Sequence, residues 1–166
     1  MECAVFGTIG WLGIGTDDMS VALLSSFAAE VVRLNELLAA AHPPALLLID
    51  EFARTTTPNE GGALLVAVLR GLRRRGVLAL AATHLSGVAA AAGARHFAVR
   101  GLRDMPAATP AADLIRALDA LAASMDYSVI EVGDENPPPS DAIALAQLLG
   151  LDEDIVTDAK ESVWTR

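Results

Sequence analysis

Two short, wholly apolar runs constrain this chain more than any other feature: residues 45–49 (Ala-Leu-Leu-Leu-Ile) and 77–82 (Val-Leu-Ala-Leu-Ala-Ala). Each is too short for a buried helix and apolar at every successive position, the pattern of a strand covered on both faces. The first closes on Asp50 and Glu51, the second on Thr83 and His84. Between them lie a polar turn at 55–59 and a helical pattern over 60–75 that Gly76 stops. A strand, helix and strand joined this way form parallel neighbours with a right-handed crossover.

The flanking segments extend the alternation. Helical spacing begins at Ser25, with Phe27, Val31, Leu34 and Leu38 on one stripe and Glu30, Arg33 and Glu36 mostly off it, and ends before Pro43 and Pro44. Ser25 or Ser26 is the natural N-cap. Upstream, residues 3–6 read as a short strand entering a loop loosened by Gly7, Gly10, Gly13 and Gly15. Downstream, a helix to about residue 92 and a strand near 96–100 continue the series. The expected fold class is therefore α/β, a mostly parallel sheet flanked by helices on both faces. Past Gly101 come a Pro- and Ala-rich stretch, a helix over 110–124, a strand at 127–132, a loop at 136–139 and two short helices at 141–149 and 152–161.

With 166 residues, 53% of them hydrophobic, the chain is large enough for one domain with its own core. A net charge of −9 does not suit a surface that tracks a phosphate backbone unaided. The dense basic stretch, Arg70 to Arg75, falls at a helix end, where cations complement exposed carbonyls. A single cysteine, Cys3, excludes an internal disulfide and fits a reducing compartment such as the cytoplasm. No apolar run approaches the roughly 20 residues that span a bilayer, and the N-terminus lacks a signal-peptide pattern.

Three polar clusters fall at strand ends or a helix start, where open α/β sheets hold ligands. Asp50 and Glu51 stand at the edge of the first apolar run. An Asp there can hold Mg²⁺ and a neighbouring Glu can orient the water that attacks a γ-phosphate, although two acids can also simply end a strand. His84 reaches the same edge one strand away, where an imidazole can contact a γ-phosphate or the attacking water, or serve structure alone. Ser25 and Ser26 open a helix whose unpaired amides attract anions, and ordinary capping explains them equally well. The early glycines match no dinucleotide fingerprint, and the absence of a Gly-x-Ser-x-Gly elbow argues against a Ser-His-Asp hydrolase.

The ordered set Ile14-Gly15-Thr16-Asp17-Asp18, Leu24-Ser25-Ser26-Phe27, Leu47-Leu48-Ile49-Asp50-Glu51-Phe52-Ala53-Arg54-Thr55-Thr56 and Ala82-Thr83-His84 resembles the second half of MutS-family ATPase domains, an ABC-type branch of the P-loop NTPases. Residues 142–151 look like the late helix and turn of the same domains. The resemblance spans about residues 5–161, with an insertion near 106–125. It implies a P-loop NTPase-like fold, incomplete at the N-terminus, with a partial ATPase core over 1–104. Residues 105–166 would add the insertion helix, final strand and C-terminal helices of the same domain. It also implies ATP and Mg²⁺ as cofactors, Glu51 and His84 as catalytic residues, and Asp50 as the metal ligand. Ser25 and Ser26 would stand in a signature motif that reaches a partner subunit's nucleotide, and Arg54, Thr55 and Thr56 in the loop across a dimer interface.

Departures accompany the likeness. No Gly-x-x-x-x-Gly-Lys-Ser/Thr occurs, so the chain is expected to be an ATPase only when another segment or polypeptide supplies the phosphate loop. The turn after the acids is Ala53-Arg54-Thr55-Thr56 rather than Gly-rich, and Pro139-Ser140-Asp141 replaces a typical Ser-Tyr-Gly. The leading expectation is a MutS-like ATPase piece acting as a homodimer or with a MutS-like partner, linked to DNA mismatch repair, with DNA bound only through domains outside these residues. Two further readings remain: a reactivating ATPase of a cobalamin-dependent aminomutase such as lysine aminomutase, and a non-catalytic interaction module.

Overall fold

The apolar run at 45–49 becomes the middle strand of a three-stranded parallel sheet in the computed structural model, which describes residues 4–13, 26–103, 114–133 and 142–163. The elements up to Arg95 form one compact unit: β1 (Thr8–Leu12), α1 (Ser26–Ala40), β2 (Ala45–Asp50), α2 (Pro58–Arg74), β3 (Leu78–Ala82) and α3 (Val88–Ala92). Both pairings are parallel, with Leu47 facing Gly10 on one side and Ala79 on the other. The small parallel sheet and its helices agree with the α/β expectation.

Strand order and sequence order coincide, so two right-handed crossovers must place α1 and α2 on the same face of the sheet. That face is the core. Leu12, Leu47 and Ile49 from the strands meet Leu34 and Leu37 of α1 and Leu65 and Leu72 of α2, with Leu47, Leu65 and Leu72 fully buried. The stripe expected at Phe27, Val31, Leu34 and Leu38 centres instead on Leu34 and Leu37, with Phe27 and Leu38 packed at its margin. The opposite face holds Ile9, Trp11, Leu46, Leu48, Leu78 and Leu80 by register, and Ile9, Leu78 and Leu80 are more than half exposed.

Two expectations about strands are corrected. No strand occupies residues 4–6; the first is Thr8–Leu12, inside the supposed glycine loop. Gly10 serves close packing rather than flexibility, because a Cβ there would lie 2.9 Å from Leu37 Cδ2. The strand near 96–100 does not join the parallel sheet. It is β4 (Phe97–Leu102), which pairs antiparallel with β5 (Met125–Glu131) in a separate sheet. The preceding α3 explains this: five residues advance only about 7.5 Å along a helix axis, too little to run back along a strand of about 16 Å. By contrast, α1 and α2 have 15 and 17 residues.

Local chemistry sets the helix ends. Thr57 caps α2 by accepting from the Glu60 amide and donating its hydroxyl to Glu60 Oε2 at 2.8 Å, with Pro58 opening the helix, so α2 begins two residues before the expected Glu60. At the other end, the arginines satisfy carbonyls of neighbouring helices rather than of their own. Arg70 Nε donates to Ala91 O at 3.1 Å, Arg73 Nη1 to Gly93 O at 3.0 Å, and Arg75 Nη1 to Leu38 O at 3.2 Å.

From His96 onward a second unit holds β4, α4 (Leu114–Ser124), β5, α5 (Ala142–Leu148) and α6 (Glu153–Val163). The β4–β5 ladder shifts register between Val99 and Gly101, where Gly101 takes φ 82°, an irregularity suited to antiparallel pairs. Asp126 anchors this hairpin: Ser128 donates its amide to Oδ1 at 2.9 Å, and Arg103 Nε lies 3.0 Å from Oδ2. Asp152 caps α6 through the Asp154 and Ile155 amides, and Lys160 Nζ donates to Gln147 Oε1 at 2.8 Å, tying α6 to α5. No helix among the described residues is long and apolar enough to cross a membrane.

Two measurements follow from this packing. Leu65→Ala should destabilise the first unit by about 2–5 kcal/mol in urea unfolding, while Leu64→Ala, at a side chain 41% exposed, should cost about 1 kcal/mol or less. In the second unit, hydrogen bonds from Ser128 and then Arg103 lower the Asp126 carboxyl from its ordinary 3.8 to about 2. Because the folded value is the depressed one, its stabilisation is full above the ordinary value and lost as pH falls through the folded one. An NMR titration should place the Asp126 midpoint near 2, and Asp126→Asn should remove that pH dependence.

Candidate functional site

Parallel pairing brings the ends of β2 and β3 level. Asp50 lies opposite Ala82, and the Glu51 amide continues the ladder by donating to Ala82 O at 3.0 Å. The acids and the histidine therefore finish at one edge. His84 Nδ1 lies 3.8 Å from Glu51 Oε1, and Arg54 Nη1 lies 3.7 Å from Glu51 Oε2. The Glu51 carboxylate thus has an imidazole beside one oxygen and a guanidinium beside the other. All three side chains are at least a third exposed, so these pairs add on the order of 0–1 kcal/mol to stability and leave the groups accessible to a ligand.

Asp50 belongs by register to the open sheet face, in line with Leu46 and Leu48, and is exposed. Among the described residues its side chain has no hydrogen-bond or ion-pair partner, which leaves a free carboxylate at the carboxyl edge of the central strand. Hydroxyl residues of the turn contact the two helices beside it. Ser26, the first residue of α1, donates its hydroxyl to Thr55 Oγ1 at 3.2 Å, and Thr56 Oγ1 donates to Glu60 Oε2 at 3.4 Å. Ser25 and the 14–18 segment lie outside the described residues. Next to Thr56, an open cavity of about 440 Å³ is lined by Phe27, Thr56, Glu60, Ala63 and Leu64.

The turn that carries Glu51 is strained. Glu51 has φ 50° and Ala53 has φ 63°, the left-handed region that L-residues other than Asn, Asp and Gly seldom enter. Such residues cost on the order of 1–3 kcal/mol each and persist only where their surroundings hold them. Here the holding groups are identifiable. Phe52 and Ala53 are both 3% exposed, and the Ala53 carbonyl accepts from the Thr56 amide at 3.2 Å. Gly61 of α2 lets the helix press against the turn, since a Cβ there would meet Ala53 O at 3.2 Å. From α1, Glu30 Oε2 accepts the Ala53 amide at 2.8 Å. Sequence reasoning grouped Glu30 with the polar residues off the apolar stripe and missed this contact. The signal was its position, four residues after Ser26 and three after Phe27, on the side of α1 that meets the turn.

A family model of MutS domain V matches residues 4–165 of this chain. Among curated proteins, the chain is 35% identical over 147 residues to a protein of Thermus thermophilus described as endonuclease MutS2, covering 89% of this chain and 18% of that protein. Proteins with the same description from Carboxydothermus hydrogenoformans and Halothermothrix orenii are each 32% identical, over 159 and 152 residues. Those alignments cover 96% and 89% of this chain and 18% and 17% of the relatives. The chain thus spans less than a fifth of the length of these relatives. None of the three is described as an aminomutase reactivase.

The strained turn has a measurable energetic weight. Ala53→Val places a β-branched side chain at positive φ in a buried position and should destabilise the first unit by about 2 kcal/mol or more in urea unfolding. A stability equal to the parent chain would show that the turn is not held in the left-handed region.

Proposed function

Given that this chain belongs to the MutS family, we propose that it is the part of a MutS-type ATPase that supplies the metal-binding, water-orienting and sensing residues of a composite nucleotide site. The observation that carries the reading is the meeting of Asp50, Glu51 and His84 at the carboxyl edge of two adjacent parallel strands, with His84 3.8 Å from Glu51. Ligands of open α/β sheets bind at such edges.

The residues present fit a magnesium nucleotide at its γ-phosphate end. Mg²⁺ is typically held by one or two carboxylates together with phosphate oxygens and water, and the unpartnered Asp50 carboxylate would supply such a ligand. When bound, the metal would neutralise charge on the β- and γ-phosphate oxygens. Glu51 would orient a water and accept its proton on a carboxylate oxygen, while His84 and Arg54, flanking that carboxylate, would meet the phosphate and the subunit interface. Ser26 and Thr55 would present hydroxyls toward a second protomer's nucleotide, which makes dimerisation part of the reaction. The β- and γ-phosphate cradle must come from outside these 166 residues, which contain no Gly-x-x-x-x-Gly-Lys-Ser/Thr. The exposure of Ile9, Leu78 and Leu80 on the other sheet face supports the same reading. Parallel sheets are normally covered on both faces, and a phosphate-loop helix packed there would lie beside Asp50. The wider role in this reading is work on DNA, in keeping with the relatives' description as endonucleases, with DNA contacted through domains other than this acidic one.

The test is a chimera in which residues 4–165 replace the matching segment of a MutS2 relative that contains a phosphate loop. Glu51→Gln in that chimera should lower kcat by about 100-fold or more while nucleotide Kd stays within about threefold. Unchanged turnover would remove Glu51 from this role. The 166-residue chain by itself should show no ATPase activity.

A further inference from the structure

We infer that Glu30 is the positioning residue of the site, a latch from α1 that holds the left-handed turn and thereby sets where the Glu51 carboxylate stands. Glu51 and Ala53 both have positive φ, and a backbone of that kind relaxes unless each of its polar groups is held. The Glu51 amide is held by the Ala82 carbonyl. The partner of the Ala53 amide is a side chain 23 residues earlier in sequence, Glu30 Oε2 at 2.8 Å. A carboxylate accepting a backbone N–H is a charge-assisted bond, stronger than the amide-to-carbonyl bonds elsewhere in the turn.

The same few residues of α1 make two further contacts with the turn. Ser26 donates to Thr55 Oγ1 at 3.2 Å, and the Phe27 and Phe52 rings pack with centroids 6.5 Å apart. Ser26, Phe27 and Glu30 fall on one side of the helix because residues three and four apart are neighbours on its surface. Of the three, Glu30 alone grips the backbone of the turn, at the amide of its second strained residue. The start of α1 and the Glu51 turn therefore move together. A displacement of α1 at its first turn, where a second protomer would meet Ser26, is transmitted to Glu51 through Glu30. This rests on the proposed role of Glu51, and it adds a means by which partner engagement sets the orientation of the water-activating group.

The experiment separates the latch from the reading it rests on. In the 166-residue chain, amide hydrogen exchange followed by NMR should show Ala53 protected. Glu30→Ala should speed Ala53 exchange about tenfold or more while the Leu47 and Ile49 amides in β2 keep their rates, which shows that the unit stays folded. Glu30→Gln, which retains a carbonyl acceptor at the same reach, should restore most of the protection. In the chimera, Glu30→Ala should lower kcat about tenfold or more with nucleotide Kd within about threefold, and Glu30→Gln should recover much of the loss. A structural role alone would lower the amount of folded protein without splitting kcat from Kd. Unchanged Ala53 exchange in Glu30→Ala overturns the latch, and so does lost protection with undiminished kcat where Glu51→Gln abolishes turnover. If Glu51→Gln leaves turnover intact while Glu30→Ala deprotects Ala53, the contact stands and the role assigned to Glu51 fails.

Discussion

The register between β2 and β3 is the constraint on which the site depends. With Asp50 opposite Ala82 and the Glu51 amide bonded to Ala82 O, the two strands end level, and the histidine two residues beyond Ala82 comes within 4 Å of Glu51. Side chains alternate across a strand, so a slip of one residue would exchange the two faces of β2. Leu47 and Ile49 would leave the core, and Asp50 would turn toward α1 and α2. Register is therefore fixed by the core and read out at the edge. The same alternation that buries Leu47 and Ile49 leaves Asp50 exposed.

Much of this was legible in the sequence, and the reason is period. The runs at 45–49 and 77–82 are apolar at every position and bounded by turn residues, a pattern few alternatives share, and both became strands. Helix α2 was legible from its spacing and from Gly76, which ends it in the left-handed region at φ 71°. The edge position of Asp50, Glu51 and His84 followed from the strands that carry them. The contact between the Ser26 and Thr55 hydroxyls was not legible, since 29 residues separate them and no local pattern links them.

What escaped the sequence was context beyond one element. Gly10 reads as a loop residue because glycine is rare in strands, yet here it makes room for Leu37, a residue of another element. The antiparallel partner of β4 lies more than twenty residues downstream, beyond α4, and nothing in residues 96–100 distinguishes a parallel strand from an antiparallel one. The arginines at 70–75 were legible as a helix end, but their carbonyl acceptors lie on α1 and at the end of α3. Glu30 escaped for the same reason. A carboxylate off the apolar stripe reads as solvated, as Arg33 and Glu36 are in their mutual 3.0 Å pair, until the turn it grips is in view.

The sheet has one further physical consequence. A parallel series whose strand order follows its sequence order can lay its crossover helices on one face only, because every crossover has the same hand. In doubly wound sheets the other face is covered by chain that enters the sheet in the reverse sense, and that reversal creates the crevice where ligands bind. Here the open face is apolar at Ile9, Trp11, Leu78 and Leu80 and ends at the free carboxylate of Asp50. Whatever covers those side chains approaches Asp50 from the same side. A helix that buried Leu78 and Leu80 would also bring its own end to the strand edge where Asp50, Glu51 and His84 stand.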